Sequence, residues 1–144
     1  MKTNISRILA AVAFLASAGL ASADNVNTNA LITLTAQGAG TIASPDMPNL
    51  LEKGLAVGVN LTTMTTATVV IHIQGKDSAS GVYYDVLVGP SLTTAGFTPM
   101  VIYPGVIGGS NSISWPLPKT WRVEAVVTGG SAAATGTIGA SLIE

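Results

Sequence analysis

The chain predicts an all-β fold: an antiparallel β-sandwich of about seven to eight short strands, preceded by an N-terminal signal-like hydrophobic helix. Three observations carry this. After residue 23, apolar residues recur with period two, the spacing of a strand that buries one face. The 16 glycines and 7 prolines cut these runs short and supply turns between them. Hydrophobic residues make up 48%, yet aromatics are only 5%. A core built mainly from Ala, Val and Ile suits thin β layers.

The N-terminus comes first in the chain. Lys2 and Arg7 form a basic start, and Ile8 to Leu20 is an uncharged apolar run. Ala21-Ser22-Ala23, followed by Asp24, has the small-x-small pattern of a secretory cleavage site. As a helix the run spans roughly 20 Å, short of a bilayer core of about 30 Å, so no stable membrane span is expected. Residues 1–23 are therefore read as a signal-peptide-like segment and residues 24–144 as a single β-sandwich domain.

Ala30 to Ala36 alternates and reads as the first strand, and Gln37 to Gly40 turns the chain. Thr41 to Ser44 pairs back as a short strand. Pro45 and Pro48 then break the ladder, so Pro45–Pro48 is expected to be a loop. Asn49 to Gly54 forms either one helical turn or an irregular segment. Leu55 to Leu61 is a strand, which Thr62 to Thr66 either continues or turns.

The strongest signal lies at Val69 to Gly89. Two period-two runs flank Gly75 to Gly81, which carries Asp, Ser and Gly suited to a turn. A β-hairpin follows, with Val69, Ile71 and Ile73 facing inward on one strand and Tyr84, Val86 and Val88 on the other. Phe97 to Tyr103 is a strand whose Pro99 demands an edge or a bulge. Pro104 to Ser112 is a loop. Thr120 to Thr128 alternates again and puts Trp121, Val123, Ala125 and Val127 on one face. Gly129 to Ser131 turns, and Thr135 to Ile143 closes the fold with Ile138, Ala140 and Leu142 in register.

Composition excludes several functions. Net charge is −1, so nothing favours nucleic acid as a partner. There is no cysteine and a single histidine, His72, which removes disulfides and metal sites built on several His or Cys ligands. No cofactor is expected. A hairpin could bring Asp85 beside His72, but no G-x-S-x-G nucleophile elbow accompanies them, so His72 is read as a solvent- or partner-facing strand residue. Asp46, Glu52, Asp77, Asp85 and Glu124 are scattered. Gly108-Gly109-Ser110-Asn111 lacks the Lys and helix of a phosphate cradle. Arg122 and Glu124 share a strand face and are expected to pair across strands or with a neighbour. No catalytic residue is assigned, and the protein is read as not an enzyme.

Charged residues are only 9%, against a usual share of about 25%. A surface so poor in charge points to coverage by neighbours. The loops at Pro45–Pro48, Val106–Gly109 and Trp115–Pro118 carry apolar residues where water-facing ones are usual. Val106, Ile107 and Trp115 are the candidate interface.

From Ile71 to Ile143, about half of the chain, the sequence resembles a group of small bacteriophage and prophage virion proteins. The residues that carry the resemblance are IHIQGKDSASGVYYDVLVGPSL, TPMVIYPGV, WPLPKTWRVEAVVTGG and a terminal TIGASLI. The group's pattern is a strand, G-x-D-x-x-S-G, a Tyr-strand and a VYPG-like turn, then an LP-x-x-W-R-V strand and a small-residue closing strand. Here the turn reads IYPG. The resemblance implies a structural role on the virion, as a capsid decoration or cement-type subunit. Its partners would be phage capsid or tail proteins, and it would form a homo-oligomer, with a trimer favoured. The signal-like start departs from a virion protein assembled in the cytoplasm. It keeps an alternative open: an exported β-sandwich module of a bacterial envelope, periplasmic or at the cell surface, that binds a surface or a carbohydrate.

Overall fold

The computed structural model describes residues 28–129 and 133–144, and these form an all-β structure of two mostly antiparallel sheets. The signal-like segment 1–23 and part of the turn expected at 129–131 lie outside the described residues.

The first sheet contains β1 (Thr28–Gln37), β4 (Gly54–Thr65), β7 (Gly96–Ile102), β8 (Ser112–Ile113) and β10 (Ala133–Ile143), in the order β1-β10-β4-β7-β8. The second contains β2 (Gly40–Ala43), β9 (Thr120–Thr128), β5 (Thr68–Lys76) and β6 (Tyr83–Val88) in that order, with β3 (Met47–Pro48) also paired to β9. Among the described residues only β7 and β8 run parallel. Alternation sets the core. Ile32 and Leu34 of β1, Leu55, Val57, Val59 and Leu61 of β4, Met100 and Ile102 of β7 and Ile138 of β10 face inward from the first sheet. Val69, Ile71 and Ile73 of β5 and Trp121, Val123, Ala125 and Val127 of β9 meet them in one apolar cluster. Each buried Val, Leu, Ile or Met side chain stabilises the fold by about 1.5–3 kcal/mol through removal from water.

The longer strands fall where expected, but the described residues form ten strands rather than about seven to eight, because the two-residue β3 and β8 pair at edges where no strand was expected. Thr62–Thr65 continues β4, and no helical turn forms at residues 49–54. Pro45–Pro48 is not wholly loop, because Met47 and Pro48 pair with Trp121 and Thr120. Ser44 makes this possible. Its N–H donates to the Val123 carbonyl at 2.8 Å and its Oγ accepts from the Val123 N–H at 3.0 Å, carrying the edge past the proline. Pro99 sits where β7 has no partner on its second side, since β8 pairs only with Val101 and Ile102.

Tyr84 and Val88 do not join the core; each is 45% exposed. The cause is a β-bulge. Ile73 pairs with Leu87 but Gln74 pairs with Asp85, so Val86 is an extra residue on β6. One inserted residue reverses the facing of everything beyond it. Val86 and Leu87 are both buried, Val88 turns outward opposite His72, and Tyr84 falls at the core's margin opposite Gly75. Gly75 is required there: a Cβ would stand 2.5 Å from the Tyr84 ring and 2.8 Å from Pro118.

Candidate functional site: an apolar loop end and a polar sheet face

The loops at one end of the molecule are tied together by hydrogen bonds. The Leu117 N–H donates to the Lys53 carbonyl, and the Lys53 N–H to that of Ile143, which links the ends of both sheets. Asn49 clamps the same region. Its side-chain amide donates to the carbonyls of Glu52 at 3.0 Å and Leu117 at 3.1 Å, and its Oδ1 accepts from the Glu52 N–H at 2.9 Å. That clamp pushes the intervening Leu50 and Leu51 outward, 81% and 91% exposed. On the far side, the Gly105 N–H donates to Ser114 Oγ at 2.8 Å and Ser112 Oγ to the Ile107 carbonyl at 2.8 Å. These bonds hold the loop after β7 against the segment leading to Trp115.

The structure therefore brings the three sequence-predicted interface residues to one end. Ile107 is 89% exposed and Trp115 51% exposed. Val106 is only half-exposed; it lines a shallow apolar groove with Tyr103, Pro104 and Ile143. Leu50, Leu51, Val82 and Tyr84 are further exposed apolar residues on the loops and strand ends of this end. The two leucines escape a sequence reading because Leu-Leu in a short polar segment looks the same whether it turns inward or outward. The Asn-x-x-Glu-Lys-Gly frame around them is the available signal for a tight, side-chain-clamped turn.

A second, chemically different set covers the outward face of the β5–β6–β9 sheet. Arg122 donates from Nε to Gln74 Oε1 at 2.8 Å and pairs with Glu124 Oε2 at 3.1 Å. Gln74 donates to Asp85 Oδ1 at 2.9 Å, and His72 Nδ1 lies 3.1 Å from Asp85 Oδ2. The Arg122 guanidinium stacks 3.4 Å above the Tyr83 ring. The Tyr83 hydroxyl donates to Asp46 Oδ1 at 2.7 Å, and Lys76 donates to Asp46 Oδ2 at 2.7 Å. The Lys76 ammonium and the Tyr83 hydroxyl hold the Asp46 carboxyl below the usual carboxylate value, and Asp46 in turn raises Lys76. In the hairpin turn, bonds from the Ser80 hydroxyl and N–H lower Asp77.

This face is a lattice of bonds among Arg122, Gln74, Asp85, Glu124, Tyr83, Lys76 and Asp46. Beside it His72 Nδ1 lies 3.1 Å from Asp85 Oδ2 but is buried without a hydrogen bond among the described residues. Bonds between neighbouring strands of this kind help to lock strand register. His72 and Asp85 do meet, as the hairpin permits, and Arg122 pairs with Glu124 on its own strand while bonding Gln74 across strands. Among the described residues no group of three or more His, Cys, Asp or Glu side chains is placed to hold a metal ion. No helix among them is long and apolar enough to cross a membrane. Comparison of the chain with protein-family models, with curated proteins and with solved structures finds no match.

Proposed function

We propose that this protein is a non-enzymatic structural subunit that seats on a larger particle through its apolar loop end, and that the particle is a phage virion on which it serves as a capsid decoration or cement-type subunit. The observation that carries the seat is the gathering of Leu50, Leu51, Ile107 and Trp115 on loops of one end. Exposed apolar side chains collected this way are costly to solvate and mark contact surfaces. The virion as the particle rests on the sequence resemblance of residues 71–143.

The test is Ile107→Asp. The side chain is exposed, so folding should change by no more than about 0.5 kcal/mol. Binding to undecorated particles should fall by about a hundredfold, since an unpaired charge is buried at the contact. Equal binding by parent and variant refutes the seat. Under the same reading, His72→Ala and Asp85→Asn leave particle binding intact.

The signal-like start at residues 1–23 favours a second reading, an exported envelope module that binds a surface or a carbohydrate. Mass spectrometry of the native N-terminus separates the two. A chain beginning at Asp24 supports export, and an intact start supports assembly in the cytoplasm.

A further inference from the structure

The chain enters the fold at the apolar loop end. β1 and β10 are antiparallel, and Thr28 stands opposite Ala140, three residues short of Ile143. From there β1 runs away from the loop end, to Gln37 opposite Ala134. Ile143 stands opposite Gly54 at the end of the sheet and, with Tyr103 and Val106, lines the shallow apolar groove beside Ile107. Everything before Thr28 is therefore attached at the end that carries Leu50, Leu51, Ile107 and Trp115. Upstream in the sequence lies Ile8 to Leu20, an apolar run without a charge.

We propose that Ile8–Leu20, while it remains attached, lies over this loop end and covers it. Its control of particle binding rests on that end being the seat of the proposed function. A chain that keeps residues 1–23 then carries a covered seat, and a chain cut after Ala23 a bare one. The reach is sufficient. Leu20 is eight residues from Thr28, and an extended chain spans roughly 26–29 Å over that length. Three strand spacings from β1 to β7 come to about 14 Å, and the step from Ala140 to Ile143 to about 10 Å. The tether also selects the occupant. A segment on so short a linker meets the surface at an effective concentration on the order of millimolar, which a free partner of like chemistry would have to match. The surface is open to receive it: Leu50, Leu51 and Ile107 are each more than 80% exposed. The contact removes apolar surface from water on both sides, and the run brings no ion to desolvate.

Trp115 reports the cover. The chain has two tryptophans; Trp121 is buried and Trp115 is half-exposed, so acrylamide quenching reads mainly Trp115. In the full chain, residues 1–144, Trp115 should be shielded. Phe14→Asp and Leu9→Asp should each open it to the quencher. Both should keep the parent's circular dichroism, since the apolar core is assembled from residues 32 to 140. Phe14→Asp should also tighten binding to undecorated particles about tenfold, the gain when a seat covered nine-tenths of the time is freed. Equal quenching in the parent and both variants overturns the proposal. So does shielding that grows with protein concentration, which assigns the cover to a second copy. Shielding that needs added phosphatidylglycerol vesicles assigns it to a bilayer and overturns it too. If Phe14→Asp unshields Trp115 but particle binding stays the same, the cover stands and the seat fails. If Ile107→Asp weakens particle binding while quenching is equal throughout, the seat stands and the cover fails.

Discussion

On the outward face of one sheet, Lys76, Asp85, Arg122 and Glu124 are joined with Asp46, Gln74, His72 and Tyr83 into a bonded lattice. On the outward face of the other, threonines, glycines and a phenylalanine lie in rows without an ion among them. Behind both is one shared core of aliphatic side chains. The same period-two pattern thus serves two ends. Where the outward positions are ionic, they lock neighbouring strands to each other and satisfy themselves. Where they are neutral and small, the sheet is held from behind by the shared core. A chain with few charges carries all of those on its described strands on one sheet.

The sharpest way to break the comparison is through the core, which should be indifferent to which sheet is cut. Trp121→Ala behind the lattice and Leu34→Ala behind the uncharged face should each cost about 2–5 kcal/mol in urea unfolding, through lost burial and a residual cavity. Trp121→Phe should cost less than Trp121→Ala. The indole Nε1 is buried without a hydrogen-bond partner among the described residues, and Phe removes that unmet donor. If only one sheet responds to truncation, the two do not share one cooperative core.

A smaller effect separates the outward faces. Arg122→Ala should cost about 1–2 kcal/mol, since it removes the bond to Gln74, the pair with Glu124 and the stacking on Tyr83 from partly buried positions. Thr137→Ala, in the middle of the uncharged face, should stay within about 0.5 kcal/mol in a monomer. Equal costs would mean that the lattice adds nothing to fold stability.

The smallest effect is one of pH. A carboxyl held below its ordinary value of 3.8 contributes stability that is complete above that value and lost as pH falls through the lower folded one. Asp46 is such a group. Asp46→Asn should therefore flatten the acid limb of the stability curve below about pH 4, with only a slight decrease near neutrality. Lys76 is the mirror case. Its raised value means that its share is present at neutral pH and lost only as alkalinity passes its ordinary value of 10.5. An acid limb unchanged in Asp46→Asn would show that the pair is open in solution.

Much of this architecture is local and so was written in the residues. Period-two alternation placed β5 and β9, and Gly and Pro punctuated the loops, because side-chain facing and turn geometry depend on near neighbours in the chain. The apolar residues of the loop after β7 and of the segment before β9 marked Ile107 and Trp115 as out of place for water. What depends on distant partners was not legible there. The bulge at Val86, which turns Val88 outward and leaves Tyr84 at the rim, exists only because β6 must fit β5. Leu50 and Leu51 point outward because Asn49 is clamped to Leu117, far along the chain. The uncharged face became a single surface only when β1 and β10, the two ends of the described chain, paired beside β4. Register between strands far apart in sequence is set by how whole faces pack, and no local pattern encodes it.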